Sequence, residues 1–391
     1  MRTNPLARMR KASGRPRPWS LREVTQAYKV RQQIGEGVYG QVHKAFDETS
    51  GELVALKRVK TDVTSEKEGF PITALREIQI LLELQHENIV RMKAVALSDA
   101  EKSVYLVFEY LEHDLNGLFE SGKNAGLSQD HYRCYAKQLV QGVEFMHDRG
   151  FLHRDVKASN LLVSSDSKLK IGDWGLARRS GSKDGAKYTN RVITLWYRPP
   201  ELLLGATTKD DGYGAPADVW SIGCILAELL SGQPILPGQT ETHQLDLIFK
   251  LLGPPDPESW PGLDKLPLWE TFSVGNSFAD SSQRPRSDGA LASDESNDNN
   301  NIEAAPSRES STTTSARKVR EKFRAFDKDA LDLVDAILVY DPKARITAKA
   351  ALKTAYLRKA KDPHQLTPIK VHSAHEWEVR KHRQRSSAPP L

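Results

Sequence analysis

Between Tyr28 and Tyr110 polar and apolar residues alternate in short runs (KVRQQIGEG, QVHKAF, LVALKRV), split by turn residues such as Glu48-Thr49-Ser50-Gly51. A period of two, bounded by turn residues, predicts β-strands. Two more strand-like runs lie around Val90–Val95 and Val104–Tyr110. One segment in this region follows a different period. From Pro71 to Leu84, PITALREIQILLEL places apolar residues at helical spacing and opens on a proline, which suits a first helical turn. Beyond Asp114 the 3.6 period dominates, in HYRCYAKQLVQGVEFMHDRG, DVWSIGCILAELLSG and ALDLVDAILVYD. The pattern predicts an α+β chain in two lobes: a small sheet with one helix, then a larger helical domain.

The globular texture breaks between residues 273 and 317, where SDESNDNNNIEAAPSRESSTTTS has almost no large apolar side chains. Such a stretch cannot bury enough surface to offset its ordering entropy, so a disordered insertion is expected. Helical spacing resumes near Lys318 and Val319. The expected organisation is a basic N-terminal extension (1–26), a small lobe (27–110), a large lobe (111–360) and a basic C-terminal tail (361–391).

Composition adds limits. At 391 residues and 39% hydrophobic, the chain can bury a large core. No run of eighteen apolar residues occurs, so no transmembrane helix is expected, and the basic N-terminus lacks the apolar stretch of a secretory signal. Cys134 and Cys224 are the only cysteines, which points to a reducing compartment. The net charge of +5 sits at the ends: residues 1–22 hold seven Lys/Arg and no acid, while the middle carries more acids than bases. Basic arms of this kind are ordinarily solvated; nuclear import or docking to an acidic partner are the sharper readings.

The chemistry lies in four motifs. Gly35-Glu36-Gly37-Val38-Tyr39-Gly40 is a G-x-G-x-x-G, a spacing shared with dinucleotide-binding loops. Those loops open a helix, whereas here an alternating strand follows, so the glycines belong to a hairpin that brings backbone N–H groups close to phosphates. The next strand carries Val54-Ala55-Leu56-Lys57, matching the V-A-I-K element whose lysine reaches the α/β-phosphates, and the following helix bears Glu77 to hold that lysine. His153-Arg154-Asp155-Val156-Lys157-Ala158-Ser159-Asn160 matches H-R-D-x-x-x-x-N throughout. In this pattern Asp155 receives the proton of the substrate hydroxyl, Asn160 binds Mg²⁺, and Lys157 offsets charge on the transferred phosphoryl group. Asp173-Trp174-Gly175 stands in the place of D-F-G, with Asp173 as a hard oxygen ligand for Mg²⁺. Trp174 departs from the usual Phe. A stack of Leu81, Met92, His153 and Trp174 is expected, and a buried indole N–H needs a partner there. Together the motifs describe phosphoryl transfer from ATP to a hydroxyl in a bilobal protein kinase fold.

Over roughly residues 25–360 the sequence resembles a cyclin-dependent protein kinase. Pro71-Ile72-Thr73-Ala74-Leu75-Arg76-Glu77 resembles the helix by which that family binds a cyclin, and Tyr188-Thr189 through Pro199-Pro200-Glu201 resembles its activation segment. The resemblance implies activating phosphorylation of Thr189 by another kinase, with Arg76, Arg154 and Arg178 as the phosphothreonine receptor. It implies that Val192 and Ile193, with Arg198, demand proline after the target Ser/Thr through an unsatisfied backbone carbonyl, since proline has no N–H. Thr194 would bond Asp155 and Lys157, Glu201 would pair with Arg345, and Asp218 would anchor the catalytic loop. At the adenine site it implies Ile34, Val42, Ala55 and Leu162 around the base, Phe108 as gatekeeper, and backbone groups of Glu109 and Leu111. Tyr39 occupies an inhibitory tyrosine position, with Val38 in place of its usual threonine neighbour.

Glu66 to Glu77 and the Thr-Asn-Arg-Val-Ile-Thr-Leu-Trp-Tyr-Arg-Pro-Pro-Glu stretch are most similar to the transcriptional branch, which pairs with T- or K-type cyclins and phosphorylates the C-terminal repeats of RNA polymerase II. His375-Glu376-Trp377-Glu378 resembles a tail element of that branch in which a His-Glu pair folds back near the ATP site. The resemblance therefore implies a nuclear enzyme, with the cytoplasm as a second location, using ATP and Mg²⁺. No membrane and no direct nucleic-acid contact are expected. Two other readings stand beside it: a cell-cycle kinase of the same fold, and a catalytically impaired cyclin-binding scaffold, for which Trp174 is the only argument.

Overall fold

The computed structural model describes residues 22–37, 40–59, 71–98, 103–180, 192–208, 213–275 and 318–380. Val38, Tyr39, Thr189 and nearly all of the Ser/Asn/Asp-rich insertion lie outside them.

The small lobe is a six-stranded sheet in the order β1-β5-β6-β4-β3-β2. Its strands are β1 (Arg22–Glu23), β2 (Tyr28–Gly37), β3 (Gly40–Asp47), β4 (Glu52–Val59), β5 (Met92–Ser98) and β6 (Ser103–Glu109). Strand β1 pairs parallel to β5, and Val24, Ala27 and Tyr28 pack in the small-lobe core with Leu56 and Val107. Residues from Arg22 onward thus join the small-lobe sheet and core. Two isolated apolar residues on one helical turn, Val24–Ala27, leave no periodic signal to read. Helix α1 (Ile72–Glu83) buries Ala74, Glu77, Ile80 and Leu81, as the spacing predicts.

The large lobe is built on α3 (Gln129–Asp148) and α4 (Ala215–Ser231), which pack on each other. Helix α4 is apolar almost all round, with every residue from Ala217 to Leu229 buried, the mark of a helix at a lobe's centre. Short strands β7 (His113–Asp114), β9 (Leu161–Val163) and β10 (Leu169–Ile171) form a second sheet, and β8 (Phe151–Leu152) pairs with β11 (Arg178–Arg179). Around the core lie α2 (Leu115–Ser121), α5 (Glu241–Leu252), α6 (Val319–Lys322) and α7 (Lys328–Ile337). The first residues of the stretch expected to be disordered from 273 are helical, because they end the helix Trp269–Gly275, which Trp269 and Phe272 anchor on the core.

The last described residues do not trail away. Lys370 donates its N–H to Ala125 O at 3.0 Å, and Ala374 donates to Glu112 O at 3.2 Å. Gly117 permits this path, since a Cβ there would stand 2.2 Å from Ala374 O.

Candidate active site

Between the lobes lies a cleft of about 910 Å³. Lys57, on β4, donates to Glu77 Oε1 and Oε2 at 2.8 and 3.1 Å and to Asp173 Oδ1 at 2.7 Å. Burial alone would lower the Lys57 pKa, but the two carboxylates outweigh it and hold the ammonium firmly charged. Burial likewise opposes ionisation of Asp173, yet Lys57, with His153 and Lys157 beyond it, keeps that carboxyl below its ordinary value. One cation therefore ties the helix α1 to Asp173, the expected metal ligand.

The catalytic loop is held from below. Asp218, near the start of α4 and 1% exposed, accepts the N–H of His153 at 3.0 Å and of Arg154 at 2.8 Å, and pairs with His147 at 2.9 Å. His153 Nε2 bonds Gly172 O at 2.9 Å while Nδ1 accepts the Asp155 N–H at 3.3 Å, which assigns its proton to Nε2. Four non-glycine residues among those described have positive φ, and three belong to this region: Arg154, Asp173 and Ile193. Strained backbone held in place by surrounding bonds is typical of functional sites.

Asp155 is 6% exposed, and each of its oxygens is directed. Oδ1 accepts from Thr194 Oγ1 at 3.0 Å; Oδ2 accepts from Asn160 Nδ2 at 3.0 Å and pairs with Lys157 at 2.9 Å. Lys157 also bonds Thr194 at 3.2 Å. Asn160 spends its Nδ2 on Asp155, which leaves its Oδ1 as an acceptor. That oxygen and the Asp173 carboxylate are hard donors of the kind Mg²⁺ takes, with phosphate and water completing its shell.

Ile34, Gly35, Gly40, Val42, Ala55, Phe108, Glu109, Leu111 and Leu162 all line the cleft. Gly37 closes β2 opposite Gly40, and Gly40 cannot be replaced freely: φ is +138° and a Cβ would meet Arg58 O at 2.0 Å. The Glu109 side chain is occupied with Lys170 at 2.8 Å and the Arg91 N–H at 2.7 Å.

Trp174 is 1% exposed, meets His153 edge-on with ring centroids 4.7 Å apart, and shares its core with Leu81 and Met92. Its N–H finds Ile171 O at 3.1 Å. The larger ring is therefore housed without an orphaned donor.

Of the three arginines expected to receive a phosphothreonine, two bond nearby backbone oxygens. Arg154 bonds Leu176 O and the Tyr213 hydroxyl, Arg178 bonds Ala177 O, and Arg76 stands half-buried on α1. The carbonyl expected to be unsatisfied near Val192 and Ile193 is not: Arg198 donates to Ile193 O at 3.2 and 3.1 Å, because the +66° φ of Ile193 turns it toward the guanidinium. Glu201 and Arg345 form a two-bond pair at 2.8 and 3.0 Å, both side chains fully buried.

Sequence reasoning missed Asp114. Its Oδ1 accepts the Gly117 N–H at 2.7 Å, capping α2, and its Oδ2 accepts the Glu376 N–H at 2.8 Å. The signal was available as Asp-x-x-Gly ahead of an apolar run. Through this contact His375, Glu376, Trp377 and Arg380 reach the cleft wall, and Glu378 bonds both Ser373 and Gln32 of β2.

With this geometry set out, comparison with known proteins decides the family. The protein kinase domain model matches residues 28–357. Cyclin-dependent kinase C-1 of Arabidopsis thaliana is 41% identical over 386 residues, covering 94% of this chain and 67% of that protein. Cyclin-dependent kinase C-3 of Oryza sativa subsp. japonica is 41% identical over 353 residues, covering 87% of this chain and 93% of its own.

The chain belongs to the cyclin-dependent protein kinase family.

It is a protein serine/threonine kinase by that membership, and its relatives include transcriptional members: cyclin-dependent kinase 12 of Caenorhabditis elegans is 41% identical over 370 residues, covering 91% of this chain. The kinase spans about two thirds of the Arabidopsis protein and 44% of the nematode one. Kinases of this family use ATP and Mg²⁺ in general and partner with cyclins.

Proposed function

We propose that the chain is an active, cyclin-dependent, proline-directed kinase that transfers the ATP γ-phosphate to Ser/Thr-Pro sites, with the C-terminal repeats of RNA polymerase II as substrate and a T- or K-type cyclin as partner. The observation that carries this reading is the environment of Asp155, whose oxygens are fixed by Thr194, Asn160 and Lys157 facing the Lys57–Asp173 pair.

Asp155 takes up the proton of the substrate hydroxyl as its oxygen bonds to the γ-phosphorus and the bond to the departing ADP oxygen breaks. Lys157 stands beside Asp155 to offset charge on the transferred group, and Lys57 positions the α/β-phosphates. Asn160 and Asp173 would hold Mg²⁺, which supplies charge neutralisation between the phosphates. Adenine would sit between Ala55 and Leu162.

Proline preference follows from Ile193. With its carbonyl turned to Arg198, the residue after the acceptor finds no backbone acceptor for an N–H, and proline brings none. The cyclin reading is supported by α1, where Ile72, Leu75 and Leu82 are 68%, 43% and 40% exposed. Phosphorylated Thr189 would draw Arg76, Arg154 and Arg178 together. The transcriptional relatives support the polymerase repeat as substrate and the nucleus as location.

The test is phosphate transfer to a repeat peptide by the chain co-purified with a T- or K-type cyclin. Asp155→Asn serves as control, as does a peptide with alanine after each acceptor. Transfer that requires Asp155 and fails with the alanine peptide supports the reading. Equal transfer by wild type and Asp155→Asn refutes it.

A further inference from the structure

Away from the catalytic cleft, a second concavity of about 580 Å³ lies between α5 and the residues that follow position 317. Ile235, Leu247 and Leu251 give it an apolar base, with Ile235 and Leu251 buried. Four cations line it, Lys250, Lys318, Lys322 and Arg324, against one lining carboxylate, Glu321. Lys250 is partly engaged with Asp246, one turn earlier on α5, at 2.7 Å. No carboxylate among the described residues lies within ion-pair distance of Lys318, Lys322 or Arg324. Nearby cations are treated differently: Arg320 bonds Asp332 and Asp335 at 2.9 Å each, and Lys328 bonds Asp332 at 3.0 Å. Lys322 directs its ammonium to Ile235 O at 3.4 Å, and burial lowers its pKa. A partly desolvated cation without a counter-charge is a cost that an incoming anion relieves.

We propose that this groove binds a phosphorylated stretch of the kinase's protein substrate, the phosphate lying on Lys318, Lys322 and Arg324 and a neighbouring apolar side chain on Ile235 and Leu251. The proposal rests on the reading of the chain as a Ser/Thr-Pro kinase. Charge complementarity selects the occupant, because a phosphomonoester brings close to two negative charges and three acceptor oxygens. The apolar base asks for an adjoining side chain, which a peptide has and an isolated phosphate lacks. Position supports it as well. Glu241, the first residue of α5, bonds Arg198, which in turn holds Ile193 O. Lys250 lies further along the same helix, roughly 14 Å from Glu241 at the usual helical rise. Four or five extended residues cover that length of α5, and the further spans from Asp155 to Glu241 and from Lys250 to the phosphate-binding cations lengthen the peptide that reaches both.

Fluorescence anisotropy tests this with two labelled Ser/Pro peptides, identical except that one carries phosphoserine at every serine other than the acceptor. The full chain with its cyclin is titrated against each, as wild type and as Lys318→Ala/Lys322→Ala. Lys318 and Arg324 are exposed, so Arg324→Ala provides an independent variant that leaves the Lys322 bond to Ile235 O intact. The expected result is binding of the phosphopeptide about tenfold tighter than its twin, a preference lost in both variants, which phosphorylate the plain peptide at the wild-type rate. Equal binding of the two peptides by wild type, or a preference that survives in the variants, overturns the proposal. Binding is read without turnover, so a wild-type chain that fails to phosphorylate the plain peptide counts against the substrate reading and not against the groove.

Discussion

Asp114 and Glu376, 262 positions apart in the sequence, meet at the cleft wall: the Asp114 Oδ2 accepts the Glu376 N–H at 2.8 Å while Oδ1 caps α2. The same carboxylate thus starts a helix and seats the tail on the cleft. Burial raises the pKa of the Glu376 side chain, opposed by Arg380, which pairs with it at 2.6 Å.

Two substitutions should unseat the tail by different routes. Asp114→Ala removes the cap and the tail bond, each worth about 1 kcal/mol, and should lower Tm by a few degrees. Gly117→Ala leaves the carboxylate alone but drives a Cβ into Ala374 O. Amide hydrogen exchange across residues 374–379 should rise in both. Unchanged protection in Gly117→Ala would show that the tail does not depend on this close approach.

Much of this was legible in the sequence, for a physical reason. Lys57, Asp155, Asn160 and Asp173 sit in short motifs whose spacing the chemistry dictates, so they can be read one segment at a time. The strands and α1 carry clean periods. What could not be read was long-range or aperiodic. Arg22–Glu23 becomes a strand only by pairing with Ala96 and Leu97. Ile193 O is satisfied by a guanidinium only because its backbone adopts a left-handed turn. Asp114 went unread because the Glu376 N–H that it accepts lies 262 positions away.

Glu201 and Arg345 offer a sharp stability test, being fully buried with a two-bond geometry. Removing one partner strands the other charge, so Arg345→Met and Glu201→Met should each cost about 3–5 kcal/mol. The double variant Glu201→Met/Arg345→Met should recover part of that loss, as paired removal leaves no orphan charge. Thermal unfolding of the three variants checks this; additive losses would contradict it.

Trp174 bears on whether the chain is a scaffold. Trp174→Phe deletes the bond to Ile171 O, which still receives the Val90 N–H at 3.0 Å. No group in contact with Asp155 changes. Stability should fall by about 1–2 kcal/mol for the lost bond and ring volume, while kcat on a Ser-Pro peptide stays within a few-fold. A gain of a hundredfold or more would mean that the indole holds the wild type inactive.

Glu228 makes stability depend on pH. It is 2% exposed on α4 and accepts the Tyr197 hydroxyl at 2.8 Å, and burial pushes its pKa up to about 7, opposed by that bond. A folded-state pKa above the unfolded value of 4.5 means that the folded chain binds more protons between these two pH values. The contribution of Glu228 to stability is therefore greatest at low pH and declines as pH rises toward about 7, levelling off above it. Ionised at high pH, the buried carboxylate costs up to about 3 kcal/mol relative to its neutral form. Glu228→Gln keeps an acceptor for Tyr197 and has nothing to ionise. Its Tm should match wild type near pH 5, pull ahead between pH 5 and 7, and hold a constant lead above that. A Tm difference that does not vary from pH 5 to 8 would show that Glu228 titrates elsewhere, and that Tyr197 holds a carboxylate already ionised across this range.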